Sequence, residues 1–249
     1  MKILLEIAFV GSAYCGWQSQ KKGDSVQEKL TLAAKELFGT DCDVTGCSRT
    51  DSGVHANGFC AVISEKGSDF LNTSIPLQNI PRALNSFLPD DISVSRAVEV
   101  ADSFHPRYDV KYKEYVYIIH TRPERNAFLA GRAWHYPKKL NVELMNEAAQ
   151  FFVGKRDFAS FMAAGSKIVD THRTVVNASV VSDGDIIKFR VGADGFLYNM
   201  VRIMTGTLID VGLGKIRPDE IRGIIDKCDR RAAGITAPAD GLYLDKVFY

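Results

Sequence analysis

The chain has 249 residues, 46% hydrophobic and 24% charged, enough to bury a sizeable core without disulfide or metal staples. Its formal charge of +1 hides an uneven spread: 9 basic and 12 acidic side chains over 1–100, 8 against 3 over 104–139, and 14 against 14 from 140 on. No stretch approaches the roughly 20 apolar residues that span a bilayer, so a soluble, cytoplasmic protein without a membrane partner is expected.

In chain order, residues 2–10 are rich in Ile, Leu and Val and suit a strand in a sheet core. Glu6 breaks that apolar run and no small-residue cleavage site follows, which argues against a signal peptide. Ser25 stands three residues before Glu28, ahead of Leu30, Ala33, Ala34, Leu37 and Phe38 in helical spacing, with Gly39 as the stop. A strand is predicted around 42–47, then a loop over 48–56, then a strand at 58–64. Pro76 opens a predicted helix over 76–87, and a strand at 92–100 closes this half. The second half reads as a strand at 112–119, a helix near 141–152, strands near 174–181 and 185–192, helices near 196–212 and 218–227, and a last strand at 242–249. Each half mixes strands and helices in an order compatible with a split β-α-β unit. The expected fold is α+β: two related ferredoxin-like halves, 1–101 and 102–249, whose sheets join around a central catalytic cleft.

Five cysteines (15, 42, 47, 60 and 228) form no Cys-x-x-Cys pair and read as reduced, mostly buried thiols. The five histidines lack ligand spacing, so no metal site is expected. Gly11 and Gly16 are spaced as in a phosphate loop, but no Lys-Ser/Thr follows. The basic run over 104–139 is what a groove for a polyanion requires, and equally what a solvated face presents.

The loop Ser48-Arg49-Thr50-Asp51-Ser52-Gly53-Val54-His55-Ala56 holds the residues most able to do chemistry. Asp51 is a candidate nucleophile or base, and Arg49, two residues earlier, could hold it ionised. The same residues also suit a turn cap and a surface cation, and physics alone does not choose between them. Tyr115 and Tyr117 share strand parity and would face the same side. Arg202, between Val201 and Ile203 on an apolar helix, calls for a carboxylate partner because an unpaired cation there is costly.

The 48–56 segment resembles the Gly-Arg-Thr-Asp-x-Gly-Val-His-Ala motif of the tRNA pseudouridine synthase A family. Four more segments are similar to that family's signatures, in order: Gly16-Trp17-Gln18 with Ser25-Val26-Gln27-Glu28, Phe104-His105-Pro106-Arg107, Phe196-Leu197-Tyr198-Asn199-Met200-Val201-Arg202, and Gly241-Leu242-Tyr243-Leu244. Ser48 stands where many members have Gly, Ser52 where many have Ala, and Val10 where an Asp often precedes Gly-Ser. The resemblance implies isomerisation of uridine to pseudouridine at positions 38, 39 and 40 of the tRNA anticodon stem-loop, by a homodimer. It implies Asp51 as the catalytic nucleophile, with attack at C1′ or C6 left open, and Arg202 as its counter-ion. Tyr115 would lie against the flipped base, Arg49 and Thr50 would join uridine binding, and Arg49 could fill the space the base leaves. His55 reads as structural. Phosphate contacts are expected from Arg107, Lys111, Lys113, Arg132, Lys138 and Lys139, with Lys155, Arg156 and Lys167 as additions. The reaction involves no net redox change, so no cofactor is expected. A non-catalytic RNA-binding protein on a ferredoxin-like sheet is the alternative. An aspartate-dependent phosphohydrolase is disfavoured, because Arg49 occupies the position where its first Asp would stand.

Overall fold

The computed structural model describes residues 1–249 except Lys21, Lys22 and Lys167. Along the chain lie β1 (Lys2–Phe9), α1 (Val26–Phe38), β2 (Cys42–Gly46), β3 (His55–Glu65), α2 (Ile80–Asn85), β4 (Ile92–Val100), β5 (Tyr112–His120) and β6 (Trp134–His135). They are followed by α3 (Val142–Gln150), β7 (Gly154–Asp157), β8 (His172–Asp183), β9 (Ile186–Ala193), α4 (Met200–Gly212), α5 (Glu220–Asp226) and β10 (Leu242–Phe248). Packing divides the chain into Met1–Lys111 with Leu244–Tyr249, and Tyr112–Tyr243.

The first unit is a mixed α+β sheet in the order β4-β1-β3, with β2 and β10 both on the far side of β3. β1 runs antiparallel to β3 and to β4, and β2 is antiparallel to β3 with Cys42 opposite Glu65. The β-α-β-β-α-β order with β4-β1-β3-β2 neighbours is that of a ferredoxin-like unit. β1 alternates strictly, burying Ile3, Leu5, Ile7 and Phe9. α1 adds Leu30, Ala33 and Ala34, and begins as its sequence dictates: Ser25 Oγ accepts from Glu28 N at 3.3 Å. Gly39 closes it at φ 68°, a left-handed conformation that glycine adopts without strain.

The second unit orders its strands β5-β9-β8-β7, with β6 parallel on β5. It repeats the β-α-β-β-α order through β5, α3, β8, β9 and α4. Its core holds Phe152, Phe158, Phe161 and Phe189, with Phe152 edge-on to Phe161 at 5.2 Å. α4 is buried along most of its length, Arg202 and Asp210 being its half-buried positions.

Three elements differ from the sequence reading. The helix expected over 76–87 is a 3-10 turn (Leu77–Asn79) followed by the short α2, because the Asn85 side chain turns to bond both N and O of Val94. The helix expected from 196 begins at Met200, because Asn199 at φ 60° breaks the helical path. β3 begins at His55, so the last two residues of the 48–56 motif belong to the strand. The sequence-based division at 101 can be set beside the packing: residues 104–111 sit in the first unit, Phe104 edge-on to Tyr249 at 4.9 Å and Lys111 N bonded to Phe248 O.

Candidate active site

Asp51 sits at the head of a tight turn between β2 and β3. Val54 N donates to Asp51 O at 3.2 Å, and Gly53 takes φ 80° at the third position, the geometry of a type II turn that favours glycine there. Asp51 is half-buried, and Arg49, two residues before it, is exposed.

The turn is clamped by the segment after β1. Gly53 N and Ser52 Oγ both donate to Tyr14 O, at 3.3 and 3.2 Å. Trp17 N donates to Thr50 Oγ1 at 3.1 Å. Gly11 N donates to Nδ1 of the fully buried His55 at 2.9 Å, which leaves the ring proton on Nε2. His55 therefore acts structurally, tying the first residue of β3 to the 11–17 segment. Two glycines permit this approach: a Cβ on Gly11 would lie 2.0 Å from Val54 O, and one on Gly16, at φ 102°, would lie 2.3 Å from Thr50 O. Trp17 stacks on Phe59 at 4.0 Å, and a Cβ on Gly46 would meet its Nε1 at 2.5 Å. Tyr14 is held at its far end by a hydrogen bond from its hydroxyl to Asp91 Oδ1. Burial, then that bond to a carboxylate, pushes the phenol well above its ordinary range, so it stays a neutral donor.

The second unit carries Tyr115 and Arg202, two of the four residues expected to bind uridine; Arg49 and Thr50 lie in the first. Tyr115 and Tyr117 are both buried on β5. Tyr115 meets Phe196 edge-on at 4.9 Å, whereas Tyr117 donates its hydroxyl to Pro238 O at 2.7 Å and packs against Gly241. The two tyrosines thus differ: burial pushes the Tyr117 phenol up, with Arg202 opposing, and its one hydroxyl hydrogen is committed to a backbone carbonyl. Arg202 is half-buried; its Nε donates to Ala237 O at 2.7 Å and Nη1 to Asn199 Oδ1 at 2.8 Å. Both of these acceptors are neutral, so the cation is oriented by them without being discharged.

Of the expected phosphate contacts, Arg107 and Lys111 lie exposed in the first unit, Lys111 Nζ reaching Tyr249 O at 2.9 Å. Lys113, half-buried, and the exposed Arg132, Lys138 and Lys139 lie in the second. Lys155 is exposed on β7, and the neighbouring Arg156 is half-buried with its Nε bonded to no protein atom. Lys167 lies outside the described residues. The cysteines form no disulfide: 42, 47 and 60 are buried, 15 is half-buried and 228 is exposed. Among the described residues, no helix is long and apolar enough to cross a membrane.

Sequence reasoning assigned no role to Tyr14 and no bond to Ser52. Tyr14 is two residues before Gly16 in a loop dense with small residues, and a large aromatic there was the available signal. Ser52 was read as a departure from family pattern, yet its hydroxyl supplies an extra tie to the clamp.

The structure thus presents a short carboxylate-bearing turn, held from one side, on an α+β scaffold of two similar units. The family model for tRNA pseudouridine synthase matches residues 7–109 and 148–249. A tRNA pseudouridine synthase A from Thermoanaerobacter sp. (strain X514) is 44% identical over 247 residues, covering 99% of each chain. One from Ruminiclostridium cellulolyticum is 45% identical over 250 residues, 100% of this chain and 99% of the relative. The tRNA pseudouridine synthase A 2 of Clostridium perfringens is 43% identical over 247 residues, 99% of each. The chain belongs to the tRNA pseudouridine synthase family, the isomerases that convert uridine to pseudouridine in tRNA.

Proposed function

We infer that this chain makes pseudouridine in tRNA, as its family does, and we propose that Asp51 is its catalytic nucleophile, acting at positions 38, 39 and 40 of the anticodon stem-loop. The reaction breaks the N1–C1′ bond of uridine, rotates the base and joins C5 to C1′. N1 gains a proton and C5 loses one, so no electrons leave the substrate and no cofactor is called for. The target base must first leave its stack, at a cost of a few kcal/mol.

The observation that carries this reading is the clamped turn, in which four hydrogen bonds between the 11–17 segment and Thr50, Ser52, Gly53 and His55 fix the backbone that carries the half-buried Asp51. Such fixing matters because misplacing a reactive group by about 1 Å can cost on the order of 100-fold in rate. Tyr115, with Arg49, Thr50 and Arg202, is assigned to uridine binding. The edge-on contact of Tyr115 with Phe196 fixes its ring, a suitable surface against a pyrimidine. Arg107, Lys111, Lys113, Arg132, Lys138 and Lys139 are assigned to phosphates, and the protein is taken to work in the cytoplasm as a homodimer.

Asp51→Asn tests the catalytic assignment. It preserves size and the turn's backbone bonds while removing the nucleophilic charge. Tritium release from C5-labelled uracil in tRNA should vanish while tRNA binding survives. An Asn variant with full release would refute the assignment.

A further inference from the structure

The segment between β5 and β6 carries a large apolar side chain where burial would be expected. Phe128 is 87% exposed, more than any other phenylalanine among the described residues. It is not on a loose tip. It sits in a 3-10 turn, Ala127–Leu129, capped by Asn126, whose Oδ1 accepts from Phe128 N at 2.9 Å. Leu129 N bonds Asn126 O, and Arg132 N and Ala133 N both bond Leu129 O. Tyr243 Oη then donates to Arg132 O at 2.6 Å, fastening the end of the turn to the closing strand.

A phenylalanine in water forgoes about 1.5–3 kcal/mol of burial free energy. What surrounds it in the chain gives the occupant its chemistry. Arg122 and Arg125 precede Phe128 in the chain, and Arg132, Lys138 and Lys139 follow it; all five are exposed. Glu124 is the one carboxylate in that stretch, and Arg122 already meets it at 3.4 Å. An exposed ring in a cation-rich segment, presented with little backbone freedom left to lose, is the combination that stacks on a nucleobase while cations of the same segment meet phosphates.

We propose that Phe128 is a base-stacking contact for an unpaired nucleotide of the RNA substrate, separate from the uridine being isomerised. This rests on tRNA being the substrate. The ring supplies a sequence-tolerant π face, and the arginines and lysines of the 122–139 segment supply the salt-dependent part of the binding. It therefore contributes to capture of the RNA and leaves the chemical step alone.

The test is equilibrium binding to a tRNA transcript with cytidine at positions 38–40, which cannot turn over, for wild type and for Phe128→Ala, Phe128→Leu and Phe128→Trp. Substitution at so exposed a site leaves folding intact, which thermal melting verifies. Stacking predicts a Kd raised by roughly 5- to 100-fold for Ala and for Leu, and restored by Trp. The slope of log Kd against log salt stays that of wild type, because no phosphate contact has gone. Single-turnover pseudouridine formation at saturating enzyme stays unchanged on a normal transcript. The proposal is overturned if Ala binds as wild type does. It is equally overturned if Leu restores binding, since apolarity alone would then suffice. A change in self-association that accounts for the binding loss would assign the ring to a second copy of the chain and also overturn it. Failure of the substrate assignment looks different: wild type itself would then neither bind the transcript nor form pseudouridine.

Discussion

Gly16→Ala should damage catalysis far more than the same change at another left-handed glycine, Gly39. Both have positive φ, 102° and 68°, so both pay for placing a side chain in a conformation L residues avoid. At Gly39 a Cβ meets nothing within 4 Å, and the expected loss is about 1 kcal/mol of stability with no change in rate. At Gly16 the Cβ would lie 2.3 Å from Thr50 O and 3.2 Å from the Asp51 carbonyl carbon. Comfortable contact is about 3.5 Å, so the backbone at 50–51 must retreat by about 1 Å. Strain and the lost Trp17–Thr50 bond together predict about 2–4 kcal/mol of destabilisation. A shift of that size at Asp51 predicts a fall of about 100-fold in kcat/KM. Urea denaturation gives the first quantity and tritium release the second, measured at a temperature where both variants are folded. Should Gly16→Ala retain a rate within about threefold of Gly39→Ala, the clamp does not position the catalytic carboxylate, and the reasoning fails.

Ser52→Ala removes the bond to Tyr14 O and should cost about 0.5–1.5 kcal/mol; the rate should fall by less than tenfold, because Gly53 N still holds Tyr14 O. A loss approaching that of Gly16→Ala would mean that the hydroxyl has a role beyond this tie. Tyr117→Phe leaves Pro238 O without its donor in a part-buried place, so about 1 kcal/mol should disappear from the unfolding free energy. An unchanged urea midpoint would show that the bond contributes nothing net. Alkaline stability follows from the buried thiols, since burial raises Cys42 to about 11 and Cys60 to about 12 from an ordinary 9.0. The unfolded thiols ionise first, so their contribution is complete below pH 9 and is lost as pH climbs towards 12. Urea midpoints for Cys60→Ala and wild type should converge over that window; a constant gap would contradict the sign.

The elements with strong periodicity were legible in the sequence: β1 from its alternation, α1 from its cap and its glycine stop, β5 and β9 from their β-branched and aromatic runs. Those set by the side-chain bonds or the backbone angle of one residue were not. α2 stops early because Asn85 pairs with a strand residue nine positions on, and α4 starts late because of one dihedral at Asn199. β6, two residues long, and β7, four, have no pattern to read. At the site, Asp51 and Gly53 could be picked out because their loop combines a carboxylate with a glycine the turn requires. Tyr14 could not, because it serves through a backbone carbonyl, which any residue possesses; its identity matters for the hydroxyl that reaches Asp91.

The clamp also explains why two short segments far apart in the chain behave as one. Gly16 and Trp17 look, in sequence, like a loop with no chemistry of its own. Folded, Gly16 abuts Thr50 O, Trp17 N holds Thr50 Oγ1, and the Trp17 ring fills the space over Gly46, the last residue of β2 before the loop that carries Asp51. Each contact excludes a side chain at one glycine and demands a particular group at its partner. A substitution at 16 or 46 is therefore felt at 50–51, and an enlarged side chain at 46 should be compensated only by a smaller ring at 17. Gly46→Ala alone should destabilise the chain, and Trp17→Phe should recover part of that loss because it removes the Nε1 and Cε2 atoms a Cβ would strike at 2.5 and 2.7 Å. Phe59 Cζ, at 2.8 Å from the same Cβ, stays in place, so the rescue is partial by construction.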